Sequence, residues 1–240
     1  MGKKITLFII LSALLSAIPV LSQTPLVGSA TEVGVTEGKL TVSASGAANY
    51  TIPLYLPPGI NETVPKIGIS YNSQSGVGML GYGWNLTGLS SITRVPSTKF
   101  HNDKIEIINY NLSDNYALDG QRLLLKSGVH GRDGAVYETE NYSNTKVTLV
   151  GGIEGAPDRG PDYFIVEYAD GSKAYYGYIH GNTSNSRSQT EYSITYWENP
   201  QGLRINYYYT NWISNTTVLN SIKYGSAGTD MPINEVFFYL

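Results

Sequence analysis

The sequence contains no cysteine. A chain without cysteine cannot form a disulfide, a thiolate nucleophile or a cysteine-ligated zinc site. Its stability must therefore come from the burial of apolar surface and from the hydrogen bonds between its strands.

Charged residues and histidines are also scarce. Only 15% of the residues are charged, the formal net charge is −3, and the 16 lysines and arginines are scattered along the chain. Proteins that bind nucleic acid need a basic patch or stripe, so we expect no nucleic-acid partner. The three histidines, His101, His130 and His180, show no metal-ligand spacing. We therefore expect no metal site and no cofactor.

One apolar run stands out, from Ile5 to Val20, and it follows the basic residues Lys3 and Lys4. It is shorter than the roughly 20 residues that a membrane-spanning helix needs. A basic start, an apolar centre and small residues at the end are typical of a secretory signal peptide. We predict cleavage between Ser22 and Gln23, a secreted or cell-surface location, and no membrane span in the mature chain. The alternative is an uncleaved anchor, but no basic cluster follows the run.

The remaining sequence favours strands. It holds 20 tyrosines and 26 glycines, which suit aromatic-rich strands joined by tight turns, and it shows no long stretch with helical period. We predict an all-β protein with helix confined to the signal segment. Residues 1–22 are the signal peptide and 23–47 a flexible arm with one strand near Lys39–Ser43. Regular structure starts at Ala48, and the β domain covers 48–240.

Three strand pairs around glycine turns are predicted to be hairpins. The first, around Asp170-Gly171, is expected to have a type I′ turn because both central residues tolerate positive φ. The second turn is Asn199-Pro200-Gln201-Gly202, where proline presets the first corner. The third, around Asp119-Gly120, is shorter. The strands are, in that order, Phe164–Tyr168 with Lys173–Tyr176, Tyr192–Trp197 with Leu203–Tyr209, and Tyr116–Leu118 with Gln121–Leu125.

Tyrosine-bearing hairpins of this kind are typical of propellers, β-solenoids and stacked-strand shells, and an ordinary β-sandwich is the alternative. The last residues, Val236–Leu240, are apolar and end inside an apparent strand. Such a strand would leave an open apolar edge. We therefore expect an irregular, hairpin-rich sheet that is an incomplete fragment of a larger protein.

The most informative segment covers residues 50–94. It contains a proline-bearing strand, a Pro-Pro-Gly turn, an alternating strand, a glycine-rich crossing and a strand that begins at a tryptophan. The glycines allow backbone to pass close to backbone, and we expect Trp84 to be a buried anchor over that crossing. The residues that carry the pattern are Pro53, Pro58, Gly59, Pro65, Tyr71, Ser73, Gly76, Gly81, Gly83, Trp84, Gly88, Ile92 and Arg94.

This ordered pattern resembles the opening signature of the SpvB-type N-terminal domain, which occurs in the B subunits of bacterial toxin complexes and in Rhs (YD-repeat) proteins. The later hairpins, including the turn at Asp119 and Gly120, are similar to the same family, so the resemblance extends over about residues 45–225. One departure is Val77, where a polar residue is expected between two glycines.

The resemblance implies a non-catalytic scaffold. In the family such a domain begins a shell of β-strands that encloses or delivers a C-terminal effector. Its expected partners are downstream YD-repeat or propeller segments of the same protein, or a toxin-complex partner subunit.

Two other functions deserve comparison. Glu138-Thr139-Glu140 invites comparison with the Glu-x-Glu pair of ADP-ribosyltransferases. That pair needs an upstream Arg and a Ser-x-Ser strand, and between Arg122 and Glu138 only Ser127 appears, so a solvated strand face is the preferred interpretation. A cell-surface adhesion or carbohydrate-binding module would instead need exposed flat rings. Tyr175, Tyr207 and Tyr209 are the candidates, although alternating tyrosines also pack across strands.

Overall fold

The computed structural model describes residues 37–151, 160–179, 186–211, 217–228 and 231–239. The predicted signal peptide, its cleavage site at Ser22 and Gln23, and His180 lie outside these residues. Within them, no helix is long and apolar enough to cross a membrane.

The protein is nearly all β, as predicted, with 17 strands in the described residues. The exceptions are one helical turn, α1 (Lys99–Asn102), and a single 3-10 turn at Ile60–Glu62. Helix α1 forms because the Thr98 side chain accepts a hydrogen bond from the backbone N–H of His101, which caps its first turn.

Residues 50–94, which we call the signature segment, contribute most of a small separate sheet. Its order is β1-β2-β3-β6, and a two-stranded hairpin of β4 and β5 lies between β3 and β6 in sequence. The bounds are β1 (Lys39–Val42), β2 (Ala48–Pro53), β3 (Gly68–Asn72), β4 (Val77–Gly78), β5 (Gly81–Tyr82) and β6 (Trp84–Thr87).

Within the described residues the first strand begins at Lys39, ahead of the expected start of regular structure at Ala48. The predicted strand near Lys39–Ser43 is present as β1, which pairs antiparallel with β2 from Lys39 opposite Thr51 to Val42 opposite Ala48. All four residues of β1 pair with β2, and these backbone hydrogen bonds and cross-strand contacts stabilise the strand although its apolar and polar residues alternate only weakly.

The other strands belong to one large antiparallel sheet. Their bounds are β7 (Ser91–Val95), β8 (Asn115–Leu118), β9 (Gln121–Ser127), β10 (Val136–Thr139), β11 (Lys146–Val150), β12 (Tyr163–Glu167), β13 (Lys173–Gly177), β14 (Glu191–Glu198), β15 (Leu203–Asn211), β16 (Thr217–Ala227) and β17 (Asn234–Phe237).

Strand β14 closes eight of these strands into a continuous sheet. Its first half pairs with β7, where Tyr192 lies opposite Ile92. It also pairs with β13, where Tyr175 lies opposite Tyr196. Strands β7 to β14 therefore form what we call the closed sheet, which has no free edge between β13 and β7. Strands β15, β16 and β17 extend from the second half of β14.

Alternating side chains of the closed sheet form the core. Strands β7, β10, β11 and β12 place every second residue inward, so that buried positions alternate with more exposed ones, whereas all four residues of β8 are buried. The fully buried side chains there include Ile92, Tyr116, Tyr137, Val147, Leu149, Phe164, Val166, Ala174, Tyr176 and Tyr192.

All three predicted hairpins are confirmed, as β8–β9, β12–β13 and β14–β15. The type I′ prediction for Asp170-Gly171 was wrong, because only Gly171 has positive φ (82°). The Gly171 N–H donates to the carbonyl of Tyr168, and the Asp170 carboxylate accepts from both the N–H and the hydroxyl of Ser172. These local hydrogen bonds favour a longer loop instead of the predicted two-residue turn.

The Asp119-Gly120 turn has the geometry that was expected at Asp170-Gly171. Both of its central residues have positive φ, 48° for Asp119 and 80° for Gly120. This is the backbone of a type I′ turn, whose twist matches that of the flanking strands.

Candidate functional site

The signature segment is held together by backbone pairing around Tyr71. Strand β3 lies between β2 and β6, with Tyr71 opposite Tyr50 on one side and Trp84 on the other. Ser73 ends this strand by accepting the N–H of Ala48 on its hydroxyl and donating its own N–H to the Ala48 carbonyl. Pro53 lies at the exposed end of β2, where it pairs with Gly68.

Trp84 is half-buried, so the prediction of a buried anchor was wrong. Its ring packs beside that of Tyr71, with 5.2 Å between the ring centroids. Strand β6 is the last strand of the small sheet, so Trp84 has a neighbouring strand of that sheet on one side only. Sequence alone could not show this, because the order of strands decides which ring is covered.

The signature glycines divide into two groups. Gly76 and Gly81 have open space where a side chain would be, whereas a Cβ at Gly83 would lie 2.6 Å from the Tyr71 ring and one at Gly88 would lie 1.9 Å from the carbonyl oxygen of Lys66. The predicted close approach of backbones is thus confirmed at Gly88, and also at Gly83, where the Cβ would lie 3.0 Å from the carbonyl oxygen of Asn72. Val77, the departure from the family pattern, is strongly exposed, a position where a polar residue would be expected.

The Pro-Pro-Gly turn connects the signature segment to the far end of the large sheet. The hydroxyl of Tyr224 on β16 donates to the carbonyl of Pro57 at 2.7 Å, and the Asn234 amide on β17 donates to the carbonyl of Pro58 at 3.3 Å. Gly59 is confined because a Cβ there would lie 2.0 Å from the Thr63 carbonyl oxygen. This turn therefore contacts a strand more than 160 residues away in sequence.

Pro65 and Ile92 complete the signature as buried apolar residues. Ile92 belongs to the main core cluster and, on β7, lies opposite both Leu118 and Tyr192.

Arg94 is the charged residue of the signature, and it is almost completely buried. Its Nη1 donates to the Asp114 carboxylate at 2.7 Å and to the Asn111 carbonyl at 2.8 Å, and its Nε donates to the Gln189 carbonyl at 2.8 Å. The guanidinium also lies 5.6 Å from the centroid of the Tyr116 ring. The side chain thus connects β7 to three loop or strand segments at once.

The electrostatics of this cluster favour a permanent charge on Arg94. Burial on its own would lower the pKa of Arg94, but the neighbouring Tyr116, Tyr192 and Asp114 raise it overall. Burial also raises the pKa of Tyr116 far above its ordinary value. At neutral pH the arginine is therefore cationic and the tyrosine neutral.

Asp114 was not singled out from the sequence, although it is the partner of Arg94. It also accepts the backbone N–H groups of Asn109 and Asn111. An aspartate that ends a polar loop gives no sequence signal of its own, because its partner is 20 residues away.

Asp119 and Gly120 are exposed, and Asp119 begins a second hydrogen-bond network, which continues into the partly buried interior. The Asp119 carboxylate accepts the hydroxyl of Ser90 at 2.7 Å and the N–H of Ser91 at 2.9 Å. The hydroxyl oxygens of Ser90 and Tyr176 are 2.8 Å apart, and those of Tyr176 and Tyr168 are 3.1 Å apart. The hairpin turn and the end of the signature segment are thereby joined.

The remaining titratable candidates have structural partners. Glu138 pairs with Lys126 at 2.6 Å, and Glu140 pairs with His101 at 2.9 Å. His130 bonds to the Tyr137 hydroxyl and the Asp114 carbonyl. Among the described residues, no three such groups lie close enough to hold a metal ion.

The aromatic surface proposed for carbohydrate binding does not form as expected. Tyr207 and Tyr209 are buried in the core cluster. Tyr175 stacks on Tyr196 with 4.3 Å between centroids, and Arg204 lies on that same Tyr196 ring at 4.4 Å. Two of the three rings are therefore unavailable to a sugar.

Comparison with known proteins identifies the family. The family model for Salmonella virulence plasmid 65kDa B protein, SpvB, matches residues 42–202. No curated protein matches the chain.

Several solved structures share the fold. The complex TcdB2-TccC3 gives a TM-score of 0.59 at 16% identity and covers 83% of this chain. The Tc holotoxin pore of Photorhabdus luminescens gives 0.60 at 16% identity, over 82% of this chain. The N-terminal domain of the effector protein SpvB from Salmonella typhimurium strain LT2 gives 0.55 at 19% identity, over 75% of this chain.

The chain spans only part of these relatives. It covers 11% and 10% of the two toxin-complex chains and 66% of the SpvB domain chain. At such low identities the likeness concerns the fold. The family match extends over well more than half of the sequence, and this chain therefore belongs to the SpvB family.

Proposed function

We propose that the chain is a non-catalytic scaffold domain of an exported protein similar to toxin complexes. It forms part of a shell of β-strands that encloses or delivers a C-terminal effector. Its partners are downstream YD-repeat or propeller segments of the same protein, or a toxin-complex partner subunit.

The observation that carries this proposal is the environment of Arg94. A catalytic or binding arginine keeps donors directed at a ligand, whereas this one is buried and bonded to Asp114 and two backbone carbonyls. The Pro-Pro-Gly turn likewise bonds to β16 and β17. Both ends of the signature therefore connect distant strands, which suits a wall-building role.

The competing role in adhesion or carbohydrate binding has less support. Tyr207 and Tyr209, which it requires at the surface, are buried. Glu138 and Glu140 are each engaged by a basic side chain on a separate strand or helix, which disfavours a Glu-x-Glu catalytic pair.

Protease protection tests the scaffold role. The intact secreted protein is digested while the effector segment is followed with an epitope tag. We expect the wild type and the surface control Lys146→Ala to protect the effector, and Arg94→Ala to expose it, because only the last substitution opens the wall. Equal cleavage of the effector in all three proteins would contradict the proposal.

Export is tested separately by mass spectrometry of the secreted product. A mature protein that begins at Gln23 is expected. A product that keeps the first 22 residues would show that this segment is not a cleaved signal peptide.

A further inference from the structure

A cleft of about 400 Å³ opens beside strand β9, away from the small sheet of the signature segment. Helix α1 and the residues after it form one wall, and strand β9 forms the other. Four basic side chains line it, and no Asp or Glu is among the described residues of its lining. The basic residues are His101, Lys104, Arg122 and His130.

Arg122 is unusual among them because it is only 9% exposed. Its two Nη atoms donate to the carbonyl of Pro96 at 3.1 Å, and Nη2 also donates to the Asn102 side-chain oxygen at 2.8 Å. These acceptors are neutral, and no described ion pair includes Arg122. A buried guanidinium without a contacting anion carries a large desolvation cost, in contrast to Arg94, which contacts Asp114.

The nearest carboxylates have other partners. Glu140 bonds to the His101 ring at 2.9 Å, and Glu106 bonds to Lys104 at 2.6 Å. Burial lowers the pKa of Arg122, and Glu140 opposes this shift from a distance. An additional anion in the cleft could therefore form an ion pair with Arg122, because no described carboxylate contacts its guanidinium.

Apolar surface lies next to this charge. Leu124 and Leu125 line the cleft and are partly exposed. Three further apolar side chains in the chain around α1, Phe100, Ile105 and Ile107, are strongly exposed although they do not line the cleft itself. A free inorganic anion would use the guanidinium alone, whereas a peptide with an acidic side chain between apolar residues would use both features.

We propose that this cleft binds an acidic peptide segment of a partner protein, with a Glu or Asp carboxylate on Arg122 and adjacent apolar side chains on Leu124 and Leu125. The Pro96 and Asn102 oxygens accept three of the five N–H groups of the guanidinium. A carboxylate would therefore accept the N–H of Nε and the second N–H of Nη1, and such charge-assisted bonds are stronger and shorter than neutral ones. The site goes beyond the scaffold role and does not depend on it, since it uses different residues.

Fluorescence anisotropy tests the site with two short labelled peptides. One carries a single glutamate between leucines, and the other carries glutamine at that place. We expect the full chain to bind the glutamate peptide about tenfold more tightly than the glutamine peptide, as loss of a charge-assisted pair predicts. Arg122→Gln should remove that preference. Lys126→Gln, on the same strand but outside the cleft lining, should keep it.

A second variant keeps the proposal testable if Arg122→Gln does not fold. Leu125→Ser changes a partly exposed side chain and should weaken binding of both peptides several-fold while the melting temperature stays unchanged. Equal affinity for the two peptides, or unchanged affinity in Leu125→Ser, would overturn the proposal. Sodium sulfate that raises the melting temperature as much as the glutamate peptide does would show that a small anion occupies the site.

Discussion

The Arg94 guanidinium lies 2.7 Å from the Asp114 carboxylate, and the two side chains are only 1% and 3% exposed. The pair connects β7, the strand that ends the signature segment, to the loop before β8. Replacing both groups with apolar side chains of similar volume can be neutral, but removing one leaves a buried charge without its partner.

Arg94→Ala and Asp114→Ala should each lower the free energy of unfolding by about 3–5 kcal/mol, because the remaining charge stays buried. Urea denaturation followed by circular dichroism measures this change. Lys146→Ala breaks the exposed pair with Glu167 and should cost about 0–1 kcal/mol. Similar losses in all three variants would mean that the buried pair has no special role.

Trp84→Ala should destabilise the protein by about 1.5–3 kcal/mol, less than the truncation of a fully buried aromatic ring, because only part of the apolar surface of the indole is removed from water. Phe164→Ala is the matched comparison, because Phe164 is fully buried and its truncation should cost about 3–5 kcal/mol. Both values come from the same denaturation experiment. A larger loss for Trp84 than for Phe164 would show that the indole is a core anchor after all.

Gly88→Ala should be more costly than Gly202→Ala. The two glycines have nearly the same φ, 85° and 82°, so both substitutions incur about 1–2 kcal/mol for a left-handed residue. A Cβ at Gly88 would also lie 1.9 Å from the Lys66 carbonyl oxygen. A Cβ at Gly202 would have no other atom within 4 Å. Equal melting temperatures of the two variants would contradict this steric argument.

Alkaline unfolding should be cooperative. Burial raises the pKa of Tyr116, Tyr176 and Tyr192 above the ordinary value of 10.0. Their neutral forms stabilise the fold fully below that pH, and above it the unfolded chain loses protons that the folded chain keeps. Stability therefore falls as pH rises beyond about 10, by about 1.36 kcal/mol per pH unit for each such group.

Tyrosinate absorbance and circular dichroism, recorded together during an alkaline titration, check this expectation. The buried tyrosines should ionise in the same step in which the strand signal disappears. Smooth ionisation near pH 10 with an unchanged strand signal would show that these rings are accessible to solvent in the folded state.

The sequence by itself determined the fold class, the three hairpins and the family signature. Each depends on local chemistry. Asp119 and Gly120 tolerate positive φ at two successive positions. The proline in the turn from Asn199 to Gly202 fixes φ at its first corner. The many tyrosines favour strands over helices. Such preferences act over a few residues, so they can be recognised without knowing the fold.

Tertiary structure decided which of these residues are buried and what they contact. Trp84 is half-buried on β6, the last strand of the small sheet, whereas Tyr207 and Tyr209 are buried in the core cluster. Asp114 becomes the partner of Arg94, and Arg122 lines a cleft without a contacting carboxylate, only after β7, β8 and β9 pair. Burial and charge pairing depend on contacts between residues distant in sequence, and only the folded chain brings those residues together.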